Sequence, residues 1–523
     1  MNLVRSALTV GSMTAISRVL GFARDVLIAA SLGTGLVADV FFVTFRFPNL
    51  FRRLFAEGAF NAAFVPLFAG RLEAEGRIGA RRFASEAASA LLWALILFTA
   101  VCELAMPLLM YVIAPGFSTT PEKFDLSVLL TRIAFPYLAF MSLVALVSGI
   151  LNALGRFAVA AAAPIVLNVV LIATLFAISE AGVAGTPQAG WMLSWGVALA
   201  GALQLILVWV ACARAGFAPS IQRARLTPGV KRLFGLGLPG LFAAGATQIN
   251  IAIGTIIASF QDGAVSFLYY ADRIYQLPLG VVGIAIGVVL LPDLSRRLAG
   301  GDGFGALNAQ NRACELSLLV TVPAAVALIT IPAPIVSVLF ERGRFDAADT
   351  VATAGALAAF AFGLPAFVLI KIFQPGFFAR EDTRTPMWFA LAGVAVNVAG
   401  SLTLFFWLGH IAIAVATSLA GWVNAGLLVV TLRRRGDYAP DARLARRLVA
   451  ILAASVALGF VLWGTAELVS PYLLTGQPLL VRAMALAALI AAGIVAFAGL
   501  AELTGAASMR ELTSTLRKGP PAG

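Results

Sequence analysis

The sequence predicts an all-α integral membrane protein of about fourteen transmembrane helices, in two parallel six-helix lobes around a central cavity, with two further helices at the C-terminal end. Three observations predict it. The first is composition: 61% of the 523 residues are hydrophobic and 12% are charged, whereas soluble domains carry roughly 25% charged and about 45–50% apolar residues. The second is spacing: stretches of roughly 20 residues of Ala, Leu, Val, Ile, Phe and Gly run between charge clusters, the length that crosses a hydrocarbon core about 30 Å thick. No alternating strand pattern of about ten residues appears, so helices that satisfy their own backbone are the spanning element. The third is an internal echo, the second half of the chain repeating motifs of the first.

Breaks at charged and Pro/Gly-rich segments delimit helices over 6–32, 36–70, 83–112, 125–152, 160–180, 187–213, 229–259, 264–295, 307–340, 347–376, 387–408, 411–432, 445–467 and 479–503. The first lies in MNLVRSALTVGSMTAISRVLGFARD, which lacks a small-residue cleavage site and carries charge inside its apolar run. It therefore reads as a retained helix, not a signal peptide. Alternate connections are basic: Arg71/Arg77/Arg81/Arg82, Arg156, Arg214 to Arg232, Arg296/Arg297/Arg312, Arg380/Arg384 and the cluster over 433–447. The connections between them are acidic, mixed or nearly uncharged, with Glu180, Asp262, the Glu341–Asp349 group and Glu467. The positive-inside rule then puts both termini in the cytoplasm, which requires an even number of helices. The same rule accounts for the net charge of +12 without a nucleic-acid partner, and makes the 433–447 arginines a juxtamembrane anchor.

The echo has an offset of about 226 residues. Phe64-Val65-Pro66-Leu67 followed by Arg71-Leu72 recurs as Leu290-Leu291-Pro292-Asp293 followed by Arg297-Leu298. Upstream, Arg46 to Leu50 lines up with Arg273 to Leu277; downstream, Met106-Pro107 near Pro115-Gly116-Phe117 echoes Ala333-Pro334 near Gly343-Arg344-Phe345. Each copy holds about six helices, an even number, so both enter the membrane in the same direction, as in parallel-repeat transporters with a midplane site between lobes. The division is an N-terminal lobe over 1–225, a C-terminal lobe over 226–440, and two additional helices with a cytoplasmic tail over 441–523.

Several charges fall inside the apolar spans. On the first helix Thr14, Ser17/Arg18, Gly21 and Arg24/Asp25 share a face. On the second, Asp39, Arg46 and Arg53 are seven apart, with Asn49 and Arg52 beside them and Glu57 one turn on. In the other copy Ser266, Tyr269, Arg273, Gln276 and Gly280 form a similar stripe, with Asp272 adjacent, and Lys371 interrupts the tenth helix. A charge at the bilayer centre costs at least about 2.5–3.5 kcal/mol, so these groups are expected to face a shared wet cavity. Two other readings remain open: arginines near helix ends can snorkel to the headgroups, and Arg–Asp pairs can serve only to lock helices together. Counted together, Arg18, Arg24, Arg46, Arg52, Arg53 and Arg273 outnumber Asp25, Asp39, Glu57 and Asp272, which favours an anion, and the planar arginine fork suits phosphate.

The run Ser17-Arg18-Val-Leu-Gly-Phe-Ala-Arg24-Asp25, then Asp39-x-Phe-Phe-Val, then Pro48-Asn49-Leu-x-Arg52-Arg53-x-Phe-Ala-Glu57-Gly-Ala-Phe60 resembles the MurJ (MviN) lipid II flippase family of the MOP superfamily. Tyr269-Tyr270-Ala-Asp272-Arg273 and Ala114-Pro-Gly-Phe117 fit it too, and the likeness spans nearly the whole chain. It implies transfer of undecaprenyl-pyrophosphoryl disaccharide pentapeptide from the cytoplasmic to the periplasmic leaflet of a bacterial inner membrane, for peptidoglycan synthesis. It also implies that Arg18, Arg24, Arg52 and Arg273 hold the diphosphate, with Ser17, Asp25, Asp39 and Arg53 in the same cavity, and that the last two helices form a groove for the polyprenyl tail. Some relatives use a sodium site with acidic ligands on the seventh and eleventh helices. The nearest positions here are Asn250, Asn397 and Ser401, so a carboxylate-based sodium site is not expected; no cofactor is expected, and membrane potential is the default coupling, with a cation as the alternative. The chain is expected to be a monomer among membrane lipids.

Other classes fit less well. Cys102, Cys212 and Cys314 lie far apart and His410 is the only histidine, so metal and disulfide frameworks are not expected. Gly235-Leu-Gly237-Leu-Pro-Gly240 has the dinucleotide-binding spacing but sits in an apolar helix with no preceding strand. No Asp-Asp-x-x-Asp motif or long loop supports a membrane transferase. A MATE-like exporter of cations favours excess carboxylates; a flippase for another lipid-linked oligosaccharide remains an alternative. Gly237-Leu-Pro239-Gly240 and Gly363-Leu-Pro365 are candidate bending points for alternating access.

Overall fold

The computed structural model describes residues 3–52 and 61–507, and among them finds eighteen α-helices and one 3-10 turn, Pro115–Thr119, with no strand. Ten helical segments among the described residues are long and apolar enough to cross a membrane. The first helix, α1 (Leu3–Leu32), is not among them, because Arg18, Arg24 and Asp25 lower its hydropathy.

Several expected spans are each two helices. The run over 36–70 is α2 (Leu36–Arg52) and α3 (Asn61–Ala74); Arg53 and Glu57 lie outside the described residues. The third span is α4 (Gly76–Leu104) and α5 (Met106–Ile113), the fourth is α6 (Pro121–Ala134) and α7 (Tyr137–Ala153), and the ninth is α12 (Gly303–Thr330) and α13 (Pro332–Phe340). Proline explains these breaks. It lacks the N–H that an inner turn needs, yet suits a first turn, so Pro107, Pro136 and Pro332 each stand where a new helix starts. Apolar composition continues straight through the breaks, which is why spacing alone passes over them.

The chain forms two compact units, Met1–Ser266 with Arg342–Phe345, and Phe267–Glu341 with Asp346–Gly523. In the first, α1 packs along α8 (Phe157–Glu180), and α9 (Pro187–Arg214) meets α8, α7, α6 and α2. Glycines let α9 approach so closely: a Cβ at Gly190, Gly196 or Gly201 would stand 2.8 Å from Leu130, 2.8 Å from Thr174 and 2.7 Å from Tyr137. Small residues at such seams are how helices associate where no hydrophobic effect drives them together. The remaining helix wholly inside this unit is α10 (Pro228–Ala258), whose N-cap Thr227 accepts from the Val230 amide.

Past the end of α1, the 342–345 loop docks through two left-handed glycines. Gly33 has φ +65 and Gly343 φ +60; the Arg344 amide donates to the Ala30 carbonyl at 2.9 Å. A Cβ on Gly343 would collide with that carbonyl oxygen, and one on Gly33 with the carbonyl of Arg344. Gly343→Ala is expected to lower stability by about 2 kcal/mol or more, since left-handed strain adds to a backbone clash. Gly436→Ala, at φ +77 with no atom near the added Cβ, carries strain alone and should be milder. Thermal unfolding of the two purified variants checks the order; equal melting temperatures would contradict it.

In the second unit, α16 (Ile411–Arg434) packs on α14 (Ala347–Phe378) and α15 (Arg384–Leu408). Its core holds Ala366, Val368, Phe373, Leu428 and Leu432. α12 lies between α14 and α17 (Ala442–Leu473), and α17 pairs with α18 (Leu479–Thr504). The remaining helix, α11 (Ala264–Ala299), crosses from the first unit's residues into the second's. Polar clips hold the last two helices. Glu315 of α12, 2% exposed, is bound by Arg312, by Arg443 at 3.3 Å and by Arg447, while Arg312 also reaches Asp441, the N-cap of α17. Arg482 of α18 donates to the Ser337 hydroxyl at 2.8 Å and carbonyl at 3.0 Å, and to the Glu341 carbonyl at 3.3 Å, capping the C-terminal end of α13. Part of the basic run over 433–447 is thus committed to a buried carboxylate, a use that loop charge counting does not reveal.

Candidate functional site

The site is built on the inner face of α1. Ser17, Gly21 and Arg24 follow one another at helical spacing on the side that packs on α8. Arg24 is 5% exposed and Asp25 2%. The Arg24 guanidinium donates through Nε (3.0 Å) and Nη2 (2.7 Å) to Asp25 Oδ1, and through Nη1 to Asn168 Oδ1 of α8 at 3.0 Å. Its Cζ also lies 5.5 Å from the Phe45 ring centroid, a cation–π contact from α2. Asn168 Nδ2 in turn donates to the Ser17 carbonyl at 2.9 Å, with the Ser17 hydroxyl at 3.4 Å. Ser17, Arg24 and Asp25 therefore come together, with Asn168 as their hub. Arg18 is exposed on the neighbouring face of α1.

Asp39 forms a separate cluster. It is 0% exposed, and its Oδ2 accepts from Lys123 Nζ at 2.9 Å and from the Gly263 amide at 2.8 Å. Its Oδ1 accepts from the Ser266 amide at 3.0 Å and hydroxyl at 2.7 Å. Lys123, itself 2% exposed, also donates to Asp262 at 2.8 Å. Asp39 thus caps the N-terminal turn of α11, where a carboxylate meets unsatisfied amides and the positive end of the helix dipole. Its charge is answered by Lys123, so it does not offset the arginines of α1, as the sequence count had it doing.

Arg273 lies in the second unit, half-buried, with Nη2 donating to the Tyr269 hydroxyl at 2.8 Å and Cζ 4.8 Å from that ring's centroid. Beside it Gln276 donates to Asp272. Arg52 ends α2, and Arg53 falls outside the described residues. In the second unit Asn397 Oδ1 accepts from Thr417 Oγ1 at 3.2 Å and Ser401 Oγ at 3.5 Å, a neutral cluster between α15 and α16. Among the described residues no three His, Cys, Asp or Glu side chains gather as metal ligands do. His410, at the N-cap of α16, stands 3.0 Å from the Ala352 carbonyl; burial pushes its pKa down, so it is neutral near pH 7 and serves packing.

The family model for the lipid II flippase MurJ matches residues 28–483. A probable lipid II flippase MurJ of Rhizobium tropici is 50% identical over 523 residues, covering 100% of this chain and 98% of that one. The chain belongs to the MurJ family. Among solved structures, a lipid II flippase MurJ in an inward closed conformation superposes with a TM-score of 0.76 at 23% identity, covering 97% of this chain and 100% of that one. A multidrug-resistance MATE transporter of the MOP superfamily, inward-facing, gives 0.66 at 14% identity, over 82% and 98%. Both share the fold.

As a MurJ-family chain the protein carries polar residues that motif reading did not single out. Asn168 is the only Asn in the 24-residue α8, and one amide in an otherwise apolar span is a signal that a polar partner faces it. Lys123 lies just ahead of the span expected over 125–152, in a turn opened by Pro121-Glu122, so no motif marks it. Thr417 adds a third side chain to Asn397 and Ser401.

Proposed function

We propose that this protein moves lipid II, the undecaprenyl-pyrophosphate-linked peptidoglycan precursor, from the cytoplasmic to the periplasmic leaflet of the bacterial inner membrane by alternating access. Membership of the MurJ family supports the substrate and the transport role. The observation that carries the site is the Arg24 guanidinium, buried and oriented by two neighbours, Asp25 and Asn168. An ionisable group held inside a span marks a transport pathway, and a fixed guanidinium suits a phosphate's oxygens.

In this reading Arg18, Arg24, Arg52 and Arg273 hold the diphosphate. Ser17, Asp25 and Arg53 shape its surroundings, and Asp39 holds the start of α11. The tail stays in lipid beside α17, one face of which exposes Val449, Leu452, Val456 and Phe460. Both termini face the cytoplasm, the chain acts as a monomer without a cofactor, and the membrane potential or a cation drives the cycle. The test is in cells: depletion of this protein should leave lipid II inaccessible to a reagent at the outer surface, and re-expression should restore labelling. Unchanged labelling of lipid II, with loss of another lipid-linked oligosaccharide from the surface, would overturn the substrate assignment.

A further inference from the structure

We infer that each repeat copy ends in the same clasp, set on α4 in one and on α12 in the other, and that the clasp on α12 keeps α17 and α18 fixed to the second unit throughout transport. The inference concerns how these helices are held, and it stands whichever lipid-linked substrate the protein moves.

The sequence offset of about 226 residues carries Ser85, Glu86 and Ser89 of α4 onto Asn311, Arg312 and Glu315 of α12. Both sets grip the chain as it leaves its copy. On α4, the Ser220 amide donates to Ser85 Oγ and the Gln222 amide to Ser89 Oγ, each at 2.9 Å. Each serine hydroxyl donates back to its own helix, to the Arg81 and Ser85 carbonyls, which leaves its oxygen to accept from the outgoing chain. The spacing fits, because four helix residues rise about 6 Å and two extended residues about 6.6 Å. Glu86 then accepts at 2.8 Å from the hydroxyl of Thr227, the N-cap of α10.

The arrangement recurs on α12 with charge in place of hydroxyls. Asn311 Nδ2 donates to the Ala439 carbonyl at 3.1 Å, and Arg312 reaches Asp441, the N-cap of α17. Glu315 binds Arg443 and Arg447 in the first two turns of that helix. Side chains of different chemistry thus do one job at equivalent positions, and the job is to hold the helix that follows. Opening the second clasp would strand a buried carboxylate, which is costly. The far end of the pair is held as well, since Arg482 ties α18 to the end of α13. Between the two ends, a Cβ on Gly459 of α17 would stand 3.1 Å from Val326 of α12. A helix pair gripped at both ends has no free end about which to swing.

The test staples α17 to α12. Cys102, Cys212 and Cys314 are buried, so Val326→Cys with Gly459→Cys in the full-length chain gives an addressable pair, closed in proteoliposomes with copper phenanthroline or a short methanethiosulfonate bridge. Movement of fluorescent lipid II by the stapled protein is expected to match that of the same protein before closure. Movement lost on closure and regained on reduction would overturn the inference. A pair that neither reagent closes would overturn it too, because the contact would then not be held. The clasp itself is read by amide hydrogen exchange over 445–451. Glu315→Gln keeps the size and removes the charge, and exchange there should quicken by about tenfold, the scale of one lost charge-assisted hydrogen bond. Ser89→Ala should likewise quicken exchange over 218–224. Parental exchange in both variants would overturn the clasp, and Arg447→Met is read in the same way should Glu315→Gln not accumulate. A parent protein that moves no lipid II would count against the function proposed above, and closure and exchange then decide this inference without it.

Discussion

Arg24→Ala abolishes rescue of cells depleted of their own lipid II flippase, while the protein stays in the membrane at the parental level. The expectation follows from what the guanidinium does. It is 5% exposed and paired with the buried Asp25, so an anion gains a charge-assisted, fork-shaped set of hydrogen bonds only by taking over donors that Asp25 and Asn168 now occupy. Truncating one partner of such a buried pair costs about 2–5 kcal/mol, a loss of roughly 30-fold to several thousand-fold in affinity at about 1.4 kcal/mol per factor of ten. Arg18→Ala and Arg273→Ala are expected to fail as well. Arg24→Lys separates charge from geometry: it keeps the charge but cannot present the planar fork, so it should rescue poorly. Colony formation after depletion, with immunoblots of membrane fractions, reads all four. Full growth with all three alanine variants would contradict the cavity account.

Asp39→Ala loses stability rather than substrate contacts. Removing the carboxylate leaves buried Lys123 with the exposed Asp262 alone, and takes the acceptor from the Gly263 and Ser266 amides and the Ser266 hydroxyl. Breaking a buried ion pair from one side costs about 3–5 kcal/mol. The melting temperature of the purified protein should therefore fall by many degrees. Asp39→Ala combined with Lys123→Met should recover part of the loss, because the stranded ammonium is removed. A single variant that melts with the parent would show that the pair carries little, and a double variant no better than the single would show that the cost lies in the α11 cap instead.

The fold was legible because membrane insertion writes itself into composition. Spans of apolar residues and arginine-rich alternate loops follow from lipid as solvent, and most helix ends lie near the expected positions. What composition cannot register is a break that stays apolar, as at Pro136 or Pro332, since the signal there is a missing N–H and not a polar residue. The polar residues of α1 were legible in the same way. Ser17, Arg24 and Asp25 stand out as polar residues at helical spacing inside a span, and they do come together. Asp39 stands out for the same reason, but its bonds to Lys123 and the first turn of α11 are not legible, because partners from distant segments are invisible to spacing along one helix. Asn168 illustrates the same gap: a single amide in α8 announces that something polar faces it, while only the packing of α8 on α1 says that it is Arg24.

The measurement that bears most directly on the account is lipid II movement in proteoliposomes containing only this chain, followed as fluorescent lipid II becoming reducible from the outer leaflet. The parent protein should move label well above protein-free vesicles, and Arg24→Ala should fall to their background. Equal movement by parent and Arg24→Ala would contradict a diphosphate held by that guanidinium.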